Sequence, residues 1–225
     1  MPTKTVQNST AREHNAAGAI LRKSPLTFIW IFFMALTQST MMPLGAQATD
    51  FKLPDTVTGK EISLSSFAPK KLLLVMFICR HCPYVIHIQH ELARLGRDYQ
   101  QTDLAIIAIS SNDAENFPQD APNSLKQFAI EQGFTFPLCY DETQQVAQAF
   151  TAACTPDFFL FNADRKLIYR GQLDDSRPGN DKPINGDHLR QAIDAALSDK
   201  PIHIEQKPSI GCNIKWKKDN APAYY

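Results

Sequence analysis

A chain of 225 residues with 44% hydrophobic and 20% charged residues suits one globular domain with tails, and two full domains would be a tight fit. The formal net charge is +0, which leaves no electrostatic footprint for nucleic acid; the short basic run Lys215, Lys217 and Lys218 around Trp216 reads as a solvated tail. Five cysteines, an odd number, argue against the closed disulfide framework of a small secreted scaffold.

Residues 1–24 are polar and carry Lys4, Arg12, Arg22 and Lys23. An apolar run then extends from Leu26 to Leu36, and Ala46 and Ala48 follow as a small-x-small pattern. One reading is a signal peptide, or a weak anchor running through 26–48, and hence an exported or membrane-attached protein. The apolar run is short of the roughly 20 residues that a spanning helix needs. The other reading starts translation at Met34, makes 1–33 an extension from a misplaced start, and leaves the protein cytoplasmic. The long polar stretch before the apolar run favours the internal start. So does Met42-Pro43-Leu44-Gly45, which looks like an ordered lead-in that cleavage after Ala48 would remove.

Phe51-Lys52-Leu53 before Pro54-Asp55 predicts a short edge strand and a turn. Thr58-Gly59-Lys60 predicts a second turn, and Ile62, Leu64 and Phe67 another extended piece. Leu72 to Ile78 is continuously apolar, the pattern of a strand buried on both faces. The period then changes. Val85, Ile88, Leu92 and Leu95 sit at helical spacing, with Gly96 as the expected stop. Leu104 to Ile109 reads as a second buried strand. Ser124 to Gln132 reads as a helix ending at Gly133, and Asp141 as the cap of a short helix carrying Val146, Ala147 and Phe150. Phe158 to Phe161 reads as a strand, Asn162-Ala163-Asp164-Arg165 turns the chain into Leu167-Ile168-Tyr169, and Asp187 caps a last helix using Leu189, Ile193 and Leu197. Strands alternating with helices predict an α/β sheet flanked by helices, with the hairpin adding antiparallel strands at one side. The domain is expected over 34–199, and 200–225 as an irregular tail.

Cys79-Arg80-His81-Cys82 falls immediately after a buried strand and immediately before a helix. A helix N-terminus offers unpaired N–H groups and the positive end of the dipole, both of which stabilise a thiolate. Arg80 and His81 are expected to add positive charge. Such surroundings bring a thiol pKa to roughly 3.5–7.5. Cys79 is therefore the expected nucleophile and Cys82, one helical turn in, the resolving thiol. A zinc site built from Cys79, Cys82, His87 and His90, or a copper-delivery site using Cys79, Cys82 and a nearby histidine, is the competing arrangement. It lacks a second close cysteine pair, and exposed helix histidines explain His87 and His90 as well. Neither metal nor bound cofactor is expected.

These residues resemble the thioredoxin superfamily, and within it the peroxiredoxin-like (AhpC/TSA-related) branch. The match lies in Phe77-Ile78-Cys79-Arg80-His81-Cys82-Pro83-Tyr84 and in Cys154-Thr155-Pro156-Asp157-Phe158-Phe159-Leu160-Phe161. It continues in Tyr169-Arg170-Gly171-Gln172-Leu173-Asp174-Asp175-Ser176-Arg177-Pro178 and in Lys207-Pro208-Ser209-Ile210-Gly211-Cys212-Asn213. The resemblance implies a thioredoxin-like fold, a central mixed β-sheet flanked by helices, with a cis peptide bond at Pro156. It implies that Thr155 and Pro156 receive an incoming substrate strand beside the nucleophile, and that His81 makes the disulfide more oxidising. Departures from the pattern are Ile78 where thioredoxins carry tryptophan and Leu73 where they bury an acid. Met76 and Leu72 stand where peroxiredoxins carry threonine and proline. Asp157 is a proton acceptor for Cys82 by proximity alone. The activity implied is thiol–disulfide oxidoreduction, with a thiol peroxidase, Cys79 attacking peroxide, as the alternative. Its partners are a protein disulfide or peroxide substrate and a small thiol or thioredoxin-type electron donor. Cys154 and Cys212 stand as accessory thiols, Cys154 facing Cys79 and Cys212 resolving a sulfenate, each against a plain structural reading. Cys139 reads as core.

Overall fold

The structure is a computed structural model that describes residues 36–225. The chain divides into units 1–33 and 34–225. The extension 1–33, and the leader or anchor expected over 26–48 as far as residue 35, lie outside the described residues. Among the described residues, no helix is long and apolar enough to cross a membrane.

The centre of the domain is a five-stranded sheet. Its middle strand, β4 (Leu72–Phe77), runs parallel to β5 (Leu104–Ser110), which runs parallel to β6 (Leu138–Tyr140). On the other side β8 (Asp157–Phe161) lies antiparallel to β4, and β9 (Leu167–Gly171) antiparallel to β8, giving the order β6-β5-β4-β8-β9. Every residue of β4 is buried because both faces of the sheet are covered. Leu72, Leu74, Met76 and Ile78 pack toward Val85, Ile88 and Leu92 of α1 (Pro83–Asp98). The same side holds Leu125 and Phe128 of α2 (Pro122–Gln132) and Leu189 and Ile193 of α4 (Asp187–Leu197). Leu73, Val75 and Phe77 pack the other way, toward Ile107, Phe159, Phe161 and the Phe150 that closes α3 (Gln145–Ala149). The Phe77, Phe150 and Phe159 rings meet at 5.6–5.8 Å in tilted or edge-on contacts. This is the thioredoxin-like arrangement, a mixed sheet flanked by helices.

Most elements fall where their periods predict. A small hairpin joins β2 (Lys52–Pro54) to β3 (Glu61–Ser63) through the expected turn. Gly96 differs: α1 runs through it to Asp98. A Cβ there would lie 2.7 Å from Thr135 Oγ1 and 2.9 Å from the Phe136 ring, so this glycine permits close packing and does not end the helix.

The C-terminal region overturns an expectation. The tail predicted as irregular carries β10 (Ile210–Asn213), the centre of a second, three-stranded sheet. On one side it pairs with β1 (Leu36–Gln38), on the other with β7 (Cys154–Thr155), both antiparallel, with Leu36 and Thr155 each opposite Cys212. Four residues reading Ile-Gly-Cys-Asn have no alternation to reveal a strand. What makes them one is the two open edges they fill.

Candidate active site

Cys79 sits two residues past the end of β4, and Cys82 is the N-cap of α1, with Pro83 at the first helical position. Proline suits that position because its missing N–H would be unpartnered anyway. The Val85 and Ile86 N–H groups donate to the Cys82 carbonyl at 3.0 and 2.9 Å, fixing the first turn. The two sulfurs interact across this turn, and Cys79 Sγ lies 3.4 Å from Thr155 Oγ1. The Thr155–Pro156 bond is cis, as the resemblance implies.

A third sulfur joins them. Cys212 Sγ is 2.8 Å from Cys82 Sγ, and Cys82 Sγ is 3.1 Å from the Thr155 carbonyl oxygen. Cys82 is thus the middle sulfur, in contact with Cys212 and in electrostatic interaction with Cys79. All three are thiols, and all are covered: Cys79 is 1% exposed, Cys82 0% and Cys212 3%.

The electrostatics reverse one expectation. Cys79 was the thiol to be ionised, yet burial pushes it well up, and contact with Cys82 and the charge of Asp120 push the same way. For Cys82, burial also acts upward, but hydrogen bonds from Cys212, Cys79, Thr155 and the Val85 N–H outweigh it and bring the thiol down. In this covered arrangement the thiolate is therefore favoured at Cys82. Cys212 is held up by its contact with Cys82 and by burial.

Arg80 does not tune either thiol. Its guanidinium turns onto α2, donating to the Ser124 carbonyl at 2.8 Å and pairing with Glu131 at 3.1 Å. His81 stays near Cys79, but its partner is a residue that no sequence signal marks. Asp120, 0% exposed, lies 2.6 Å from His81 Nδ1. It also accepts from the Arg80 N–H at 2.8 Å, the His81 N–H at 3.3 Å and Asn112 Nδ2 at 2.7 Å. The His81 ring stacks on Phe117, centroids 5.6 Å apart. Cys79 Sγ, a His81 ring nitrogen and an Asp120 oxygen all lie within 4.8 Å of one another, the one such metal-capable cluster among the described residues. The set Cys79, Cys82, His87 and His90 is not assembled. His87 lines a small cavity beside Tyr84, Gln172 and Arg177, and His90 is exposed.

Three further expectations are corrected. Thr155 does not offer a free backbone edge to a substrate strand, because β10 already pairs with it. Cys154 does not face Cys79. Successive strand residues point to opposite sides, so with Thr155 toward Cys79 the Cys154 thiol points toward the Pro156 and Ser209 carbonyls, at 3.6 and 4.0 Å. Asp157 is no free proton acceptor, since it is locked in a buried ion pair with Arg170 (Nη2–Oδ2 2.8 Å) and accepts from Ser39 Oγ at 2.9 Å. Arg170 also lies over the Phe159 ring, 3.8 Å from its centroid. A cavity of about 710 Å³ lies at the far end of β4 beside Leu44, Leu72 and Pro201 and holds none of the cysteines.

A structure of an uncharacterized conserved protein from Geobacillus kaustophilus is 50% identical, with a TM-score of 0.81 over 83% of this chain and 98% of that one. A hypothetical protein from Sinorhizobium meliloti 1021 is 46% identical, with a TM-score of 0.79 over 81% and 99%. Among curated relatives, the thiol-disulfide oxidoreductase ResA of Geobacillus kaustophilus (strain HTA426) is 27% identical over 147 residues, 64% of this chain and 78% of that protein. The family model of AhpC/TSA matches residues 44–170, a span that takes in β4, the Cys79–Cys82 turn and the Thr155–Pro156 loop. With more than half of the chain inside that match, this protein belongs to the AhpC/TSA family, and its chemistry is thiol oxidoreduction.

Proposed function

We propose that the protein is a thiol–disulfide oxidoreductase in which Cys79 and Cys82 form the exchanging pair. One observation carries the reading: two sulfurs interact at the mouth of α1, one of them held toward the thiolate by hydrogen bonds from Cys212, Cys79, Thr155 and the Val85 N–H. Cys79 attacks a substrate disulfide, one substrate sulfur leaves as a thiol, and a mixed disulfide remains on Cys79. The Cys82 thiolate then attacks Cys79 Sγ, closing the Cys79–Cys82 disulfide and releasing the second substrate thiol. Run backwards, the same steps oxidise a substrate dithiol. Burial is the main cause keeping Cys79 protonated, so its activation follows the withdrawal of whatever covers it. His81, oriented by Asp120, is the nearest proton carrier to Cys79, in the manner of a base held by a carboxylate. Substrates in this reading are protein disulfides, and the electron donor is a small thiol or a thioredoxin-type protein.

Reduction of insulin by the full chain with dithiothreitol tests it. Turnover is expected from the native protein and background rates from Cys79→Ser and Cys82→Ser. Equal turnover in all three sinks the reading. Membership of the AhpC/TSA family favours a second activity, peroxide reduction with Cys79 becoming the sulfenate and Cys82 resolving it. Arg80 and Arg170 are both committed elsewhere, which leaves peroxide without either guanidinium at Cys79. Peroxide consumption with a thioredoxin or glutathione reductant separates the two activities.

A further inference from the structure

We propose that Cys212 is a third redox thiol of this centre, taking Cys82 into a Cys82–Cys212 disulfide by exchange with the Cys79–Cys82 bridge. The inference rests on the reading of Cys79 and Cys82 as an exchanging pair and adds the strand that covers them.

The geometry is specific. The Cys82 and Cys212 sulfurs are 2.8 Å apart, less than an ångström beyond the bonded length of about 2.05 Å. The contact does not depend on a loose tail. β10 is hydrogen-bonded on both edges, and its register sets Cys212 opposite Thr155, the residue whose hydroxyl and carbonyl touch Cys79 and Cys82. Gly211 permits this approach: a Cβ there would fall 2.0 Å from the Thr155 carbonyl oxygen and 2.7 Å from its carbon. With all three sulfurs buried, the reagent nearest to an oxidised Cys82 is a thiol of the chain itself.

The step needs no external oxidant. Cys212 attacks Cys82 Sγ of the Cys79–Cys82 disulfide, the Cys82–Cys212 bond forms as the Cys79–Cys82 bond breaks, and the proton given up by Cys212 ends on the departing Cys79 sulfur. One disulfide and one thiol are present before and after. The product fastens β10 covalently across the Thr155 edge and leaves Cys79 as the free thiol.

Disulfide mapping of the full-length protein tests this. The protein is oxidised with glutathione disulfide, blocked with an alkylating agent and digested with trypsin without reduction. Trypsin cuts between Arg80 and His81, so each bridge has its own mass. The wild type is expected to yield both Cys79–Cys82 and Cys82–Cys212 peptides, Cys212→Ser only the first, and Cys79→Ser neither, because the exchange starts from the Cys79–Cys82 bridge. An oxidised wild type with no Cys82–Cys212 peptide overturns the inference, whatever the variants give. A Cys82–Cys212 peptide in wild type and Cys79→Ser, with no Cys79–Cys82 peptide in wild type or Cys212→Ser, sinks the exchange step together with the Cys79–Cys82 reading.

Discussion

Asp120 holds the strand-to-helix turn from below: the Arg80 and His81 amides, the His81 ring and the Asn112 amide all converge on its carboxylate. It is also the negative charge nearest to Cys79 in effect, and that charge acts against ionisation of the thiol. Asp120→Asn therefore has two opposed consequences. An amide keeps an oxygen for the two backbone N–H groups but turns an NH2 toward Asn112, at a cost on the order of 1–3 kcal/mol for the mismatched buried contact. It also removes the charge, so the Cys79 pKa falls. Alkylation of Cys79 followed by mass spectrometry across a pH series should show its midpoint moving to lower pH in Asp120→Asn. A midpoint that stays put or rises means the carboxylate does not set the ionisation of Cys79. The role of Asp120 is illegible in the sequence because it stands some forty residues from His81, in a loop before α2, with no spacing rule to connect them. Arg80 is the converse case: adjacency to Cys79 suggests charge tuning, but a long side chain goes where its partners are, and Glu131 and the Ser124 carbonyl lie the other way.

At the scale of elements, what the sequence declares is periodicity. β4 and β5 announce themselves as apolar runs, α1 by its change of spacing, and α2 by its end at Gly133. β6 and β10 do not, because three or four residues carry no period and exist as strands through the edges they meet: β6 against β5, β10 between β1 and β7. The Cys79–Cys82 motif was legible for the same reason, being local, and the cis bond at Pro156 was implied by the family resemblance. Cys212 stands as an accessory thiol, but its contact with Cys82 was not legible, since its place depends on a register set 130 residues away. That register is testable through Gly211. Its added methyl would meet backbone, which cannot step aside, so Gly211→Ala should loosen β10 by about 1–3 kcal/mol, roughly 5- to 150-fold in the population of the detached strand. Amide exchange over Ile210–Asn213 and alkylation of Cys82 should both accelerate by a factor in that range. Native exchange and alkylation rates in Gly211→Ala would show that β10 is not what shields the thiols.

Among the described residues, burial holds a set of thiols and phenols in their protonated form. Burial raises Cys79, Cys154, Tyr99 and Tyr169, and lifts Cys139, with help from the charge of Asp55, from its ordinary 9.0 to about 12. Each is a group whose folded pKa lies above its unfolded one. The unfolded chain then releases these protons first as pH rises, so the stability each contributes is complete below its unfolded pKa and is lost on the way up to the folded value. For Cys139 the window runs from 9.0 to about 12. Urea unfolding should accordingly show a midpoint that falls steeply above about pH 9, steeper than one proton would give, since several groups act together. Cys139→Ala removes one of them. It should start less stable near neutrality, because a buried side chain is trimmed, but lose stability more slowly in alkali, by about 1.4 kcal/mol per pH unit within the Cys139 window. Parallel slopes for the two proteins above about pH 9 would place the Cys139 thiol in contact with water, and with it the seam where β6 meets the loop carrying Asp55.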